Sequence, residues 1–138
     1  MPLPESIRRA WTATEYRVRL PGGGHATIRC GQTLPLPLLA LLRGAAEPWG
    51  YLTAWNPAGV LLPHSTNHIR QRRLRDELKG DRHRFYPGIG IGADIWREPS
   101  LFVPGMTYAQ LDAMAHQFGQ LGVVRGTGAG PAELRELI

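Results

Sequence analysis

A chain of 138 residues with 43% hydrophobic and 20% charged side chains is long enough to bury a core without covalent staples. Its one cysteine, Cys30, excludes an internal disulfide framework, and the longest apolar run, LPLPLLALL at 34–42, is too short and too interrupted by proline to span a bilayer. The net charge of +5 comes almost wholly from arginine, fifteen against one lysine, and arginine favours planar contact with phosphate or carboxylate.

An arginine-biased codon usage gives the same total, so the distribution carries more than the sum. Seven of the sixteen basic residues lie between Arg70 and Arg84, against Asp76, Glu77 and Asp81. The N-terminal MPLPESIRRAW has no apolar signal core. With a single thiol, this points to a cytoplasmic protein.

In chain order, TEYRVRL alternates Tyr16, Val18 and Leu20 with Arg17 and Arg19, the pattern of a half-buried strand. PGGG is a turn, and HATIRCG repeats the alternation, so a hairpin is expected over about 14–31. LPLLALLRG reads as a short buried helix ended by Gly44. WGYLTAW reads as a central strand that stops at Asn56-Pro57, leaving Thr53, Trp55 and Asn56 at its end.

Residues 66–79 form a polar helix whose inward face carries Asn67, Gln71, Leu74 and Leu78, with Arg70 at its edge. That face is apolar in its last turns and polar in its first, as if it met a cleft. His68, Arg72, Arg75 and Lys79 make a neighbouring stripe, either a surface for polyanions or a solvated face with Arg72–Asp76 and Arg73–Glu77 pairs. RFYPGIGIG and SLFVPGM read as strands with ADIWREP between them. Thr107 and Gln110 have the spacing of a capping box for a helix ended by Gly119. GVVRG is a further strand. The tail, part of the segment 122–138, is a flexible end, a short helix or the return strand of a hairpin.

These elements predict an α/β (α+β) protein: a single domain over 1–138, with a mixed sheet of about six strands and three helices packed on it. Ligands of such sheets sit beyond strand ends and beside helix starts.

GIGIGA at 88–93 matches a dinucleotide fingerprint in letters, but Asp94, Ile95, Trp96 and Pro99 follow where a helix is required. A glycine-rich strand that bends or admits another backbone is preferred, and no cofactor is expected. RGTGAGP lacks the Lys-Ser/Thr of a phosphate loop. His64 and His68 lack the further ligands of a metal site, so no metal is expected. In Trp96-Arg97-Glu98-Pro99-Ser100, a loop beside a proline brings together a stacking face, a carboxylate and a hydroxyl. Gln120, after the last helix, can turn its amide toward the same place.

The ordered set Tyr51-x-Thr53-Ala54-x-Asn56-Pro57, Ser65-x-Asn67-x-x-Arg70, Gly90-x-Gly92-x-Asp94, Trp96-x-Glu98-Pro99-Ser100 and Phe118-Gly119-Gln120 resembles a bacterial family catalogued as domain of unknown function 3293. The resemblance covers nearly the whole chain and implies a complete single domain, with no activity, ligand or partner attached. One departure is visible: the family continues Gln-Asn-Ala after Phe-Gly, whereas here Leu121-Gly122 follow Gln120.

The functional expectation is a small binding protein with one polar cleft for an anionic ligand, a nucleotide or a nucleic-acid segment. Arg70 contacts the anion; Thr53, Asn56, Asn67 and Gln120 read donors and acceptors; Trp55 or Trp96 stacks. The alternatives are a hydrolase or transferase with Glu98 as acid or base and Arg70 stabilising charge, and an interaction module docking an acidic partner on the basic helix. No membrane partner is expected.

Overall fold

The computed structural model describes residues 3–93 and 96–137; Asp94 of the family pattern lies outside them. The described residues form four α-helices and seven strands: α1 (Glu5–Ala13), β1 (Glu15–Arg19), β2 (His25–Ile28), α2 (Leu36–Leu39), β3 (Pro48–Leu52), α3 (His64–Gly80), β4 (Tyr86–Ile91), β5 (Arg97–Pro104), α4 (Tyr108–Gln117), β6 (Gly122–Thr127) and β7 (Glu133–Glu136). The class is α+β, as expected, with one strand more than expected. The sheet has the order β2-β1-β4-β5-β3-β6-β7, and every described pairing is antiparallel rather than mixed. No helix among the described residues is long and apolar enough to cross a membrane.

The seventh strand is the C-terminal return strand, one of the three conformations left open for the tail. It pairs Gly122 with Glu136 and Val124 with Leu134. Helix α1 is the element that periodicity did not reveal. None of its residues is buried, and its first turn is held from far along the chain. Glu136 accepts from Leu3 N–H (3.0 Å) and from Arg8 Nε (2.9 Å).

The sheet curls into a half-barrel. Its two edges approach where the chain after β2 meets the chain before β7: Gly31 N–H donates to Ala132 O and Ala132 N–H to Gln32 O, both at 2.8 Å. Side chains alternate across the sheet with the period of two that strands impose. Tyr16, Val18, Ile28, Tyr51 and Phe102 face inward, where Leu34 and Leu38 of the α2 region plug the interior. Leu52, Leu101, Val103 and Val123 face the other way, against Leu74 and Leu78 of α3 and Leu111 and Phe118 of α4. Leu74, Leu78 and Leu111 are wholly buried, each worth about 1.5–3 kcal/mol in water excluded.

Local chemistry explains the ends. Thr107 Oγ1 accepts from Gln110 N–H and Gln110 Oε1 accepts from Thr107 N–H, so α4 starts on the expected capping box. The glycines of GIGIGA lie in β4, and Gly88 shows why one of them is there. A Cβ at Gly88 would lie 2.2 Å from Arg17 O and 2.9 Å from the Tyr51 hydroxyl, which donates to that carbonyl. The segment Trp96–Ser100, expected as a loop, is largely strand: β5 begins at Arg97. Pro99 stands opposite Ile89 of β4 but has no partner on the β3 side, where the pairing with β5 reaches only to Leu101.

Candidate functional site

The chain beyond β3 answers what the polar first turns of α3 do. Once the sheet pairing of β3 stops, side chains from α3 take the place of a neighbouring strand. Ala54 N–H donates to Gln71 Oε1 (2.9 Å), and Arg70 Nε donates to Ala54 O (2.8 Å). Asn56 N–H donates to Asn67 Oδ1 (2.9 Å), while Asn67 Nδ2 donates to Asn56 Oδ1 (2.7 Å) and Leu62 O (3.2 Å). Arg70 also donates to Phe118 O, tying the start of the helix to the end of α4. Asn67 is fully buried. Asn56 takes a left-handed backbone, φ 45°, which asparagine tolerates better than most residues.

These residues therefore divide into two groups. Asn67 and Arg70 are occupied by the main chain, and Trp55 packs its ring against His68 at 5.0 Å. Thr53, Asn56, Trp96, Glu98 and Gln120 instead contribute to the walls of a cavity of about 260 Å³ at the open end of the half-barrel, under α1. Even there, Thr53 donates to Pro99 O (2.7 Å) and Gln120 Nε2 to Trp55 O (3.2 Å). Glu98 is different. Among the described residues, nothing hydrogen-bonds its carboxyl.

Sheet register puts Glu98 there. It lies across from Gly90, which pairs on its other side with Tyr16, so one inward row reads Glu98, Gly90, Tyr16, Ile28. Gly90 has no side chain to fill the space beside the acid, and a Cβ there would meet only ordinary contacts, the nearest 3.6 Å away on Trp96. Across the cavity the Trp11 ring lies against Gly122, 3.1 Å from where a Cβ would be. Tyr16 and Tyr51 meet edge-on, 5.3 Å between centroids. Their hydroxyls donate to Trp11 O (2.5 Å) and Arg17 O (2.9 Å).

Burial pushes the Glu98 carboxyl up to about 8. Burial also raises both phenols, with smaller contributions from Cys30 at Tyr16 and from Tyr16 at Tyr51. No Arg, Lys or His among the described residues lines the cavity. Among the described residues, the site thus combines an aromatic wall, a half-buried acid without a hydrogen-bond partner and no counter-charge. Trp11, Tyr16 and Tyr51 were not singled out as site residues in sequence. Their placement depends on cross-strand register and on α1, neither of which is local.

The expected polyanion stripe lies elsewhere. His68, Arg72, Arg75 and Lys79 are all exposed on α3, and Arg75 lies over the Phe85 ring at 5.6 Å. The i,i+4 pairs with Asp76 and Glu77 are not among the described ion pairs.

The family model described as Protein of unknown function (DUF3293) matches residues 52–123. The chain belongs to this family. No curated protein and no solved structure matches it. The DUF3293 segment runs from the end of β3 into β6, so it holds α3, Glu98 and Gln120. Trp11, Tyr16 and Tyr51 of the cavity wall lie before it.

Proposed function

We propose that this DUF3293 chain is a small-molecule binding protein whose ligand enters the cavity under α1 and meets Glu98. One observation carries the reading: a carboxyl with no described hydrogen-bond partner faces an apolar, aromatic cavity. Glu98 is half-buried, and an ionisable group drawn that far from solvent usually finds a partner in the protein or in what binds there. Pockets of this kind, apolar with few polar groups, are the usual form of a small-ligand site.

The expected anion contact through Arg70 has less support, because Ala54 O and Phe118 O already occupy that guanidinium. An acid–base enzyme is the second reading. A carboxyl pushed up to about 8 stands near working pH, as a proton-transfer group requires. With no Arg70 and no other cation at the site among the described residues, a hydrolase or transferase lacks the group expected to stabilise developing charge. Polyanion binding through the exposed α3 stripe is a separate reading, independent of the cavity.

Titration with indole, followed by amide NMR, tests the binding reading. Shifts are expected at Gly90, Ser100 and Val124, and Gly90→Leu should abolish them by filling the cavity. No response at these amides, or the same response in both proteins, overturns it.

A further inference from the structure

We infer that the cavity selects a small aromatic or amphipathic amine, held as an ammonium between Glu98 and the indoles of Trp11 and Trp96. This rests on the cavity reading above and assigns its ligand class. Three features of the walls point the same way. The Trp11 indole lies against Gly122 on β6, and the Trp96 indole against Gly90 on β4 and Gly92 just after it, so two indoles border the space that Glu98 faces. Aromatic faces attract cations through the ring quadrupole, most strongly for tryptophan. Glu98 is the only carboxyl side chain in the described lining, and no described cationic side chain lines the cavity to compensate it.

An anion brought beside Glu98 meets like charge. A neutral ring fills the space and leaves the carboxyl without an ionic partner. An ammonium satisfies both the acid and the aromatic faces, and its N–H groups donate to the carboxylate in a charge-assisted bond.

The chemistry includes a proton. The free site holds Glu98 mainly as the neutral acid at pH 7. When R–NH₃⁺ enters, the carboxyl gives its proton to buffer and the ion pair R–NH₃⁺···⁻OOC remains, so uptake releases up to one proton. The other titratable groups bordering the acid are the phenols of Tyr16 and Tyr51, both raised by burial and so neutral through this range. The Ile7 and Trp11 lining from α1, and that of Val124 and Leu134 from β6 and β7, adds no charge.

Three probes with one ring and different charge test this: benzylammonium, benzyl alcohol and benzoate, titrated by calorimetry in phosphate and in Tris. Benzylammonium should bind best, with an enthalpy that differs between buffers as a released proton requires. Its affinity should rise about tenfold per pH unit below the carboxyl midpoint and level off above it. Glu98→Gln should weaken it by about tenfold or more and leave benzyl alcohol nearly unchanged. Benzyl alcohol or benzoate binding as tightly as benzylammonium overturns the amine assignment and leaves the cavity reading standing. If none of the three binds, both fall.

Discussion

Asn67 meets Asn56 through both ends of its amide: Oδ1 accepts from the Asn56 N–H and Nδ2 donates to Asn56 Oδ1. An inward polar residue on a helix can be a ligand reader or a surrogate for a missing strand. Here it completes the hydrogen bonding of a chain that has left its sheet.

Asn67→Ala should therefore cost stability. It removes three hydrogen bonds and strands a main-chain N–H that Asn67 served, an expected loss of about 2–4 kcal/mol in urea unfolding. If Asn67 instead serves a ligand, the variant will unfold within experimental error of the wild type. Arg70→Met should lose comparably, since Ala54 O and Phe118 O both lose their donor.

How far such roles can be read from sequence depends on how local they are. The β1–β2 hairpin and the start of α4 follow from alternation and from Thr107 with Gln110, signals contained within a few residues. The inward polarity of Asn67 and Arg70 was equally visible, but not its purpose, because their partners are backbone groups of Ala54, Asn56 and Phe118. Glu98 was a candidate read as part of a loop. Pro99 suggested a break, and only pairing with Gly90 makes it a strand residue facing inward. Helix α1 has Ile7 and Trp11 four apart, yet its anchor is Glu136, at the far end of the chain.

That anchor suggests a second test. Glu136→Gln should release α1 from Arg8 and Leu3 without disturbing the core. Amide exchange should quicken over residues 5–13 while the melting temperature changes little. Exchange confined to its wild-type rate would mean that Trp11 and Ile7 hold the helix on their own. In the wild type, Arg8 holds the Glu136 carboxyl below its ordinary value. The anchor is therefore present above about pH 4.5 and should be lost as pH falls below that.

The exposed stripe of α3 should bind polyanions weakly and without sequence preference. Duplex DNA affinity should fall with salt at a log–log slope near −0.9 for each phosphate neutralised. An Arg72→Ala, Arg75→Ala, Lys79→Ala variant should show weaker binding and a shallower slope. Equal affinities of the two proteins at low salt would assign this stripe to solvation alone.

Glu98 should make stability depend on pH in the direction opposite to a salt-bridged acid. Its folded-state value is raised from 4.5 to about 8, so the native protein holds this proton more tightly than the unfolded chain. Its contribution is fully present below pH 4.5 and is lost as pH climbs to 8. Glu98→Gln removes that dependence. Relative to wild type, the variant should gain about 2–4 kcal/mol between pH 5 and pH 9. A difference that stays constant over this range would show that the acid is solvated.

The most direct measurement is a carbon-13 NMR titration of the Glu98 side-chain carboxyl, assigned by its loss in Glu98→Gln. A carboxyl that faces an apolar cavity without a protein partner should titrate near pH 8, and benzylammonium should draw that midpoint down. A midpoint near the ordinary 4.5, unmoved by the amine, would contradict the placement of Glu98 as the working group of the site.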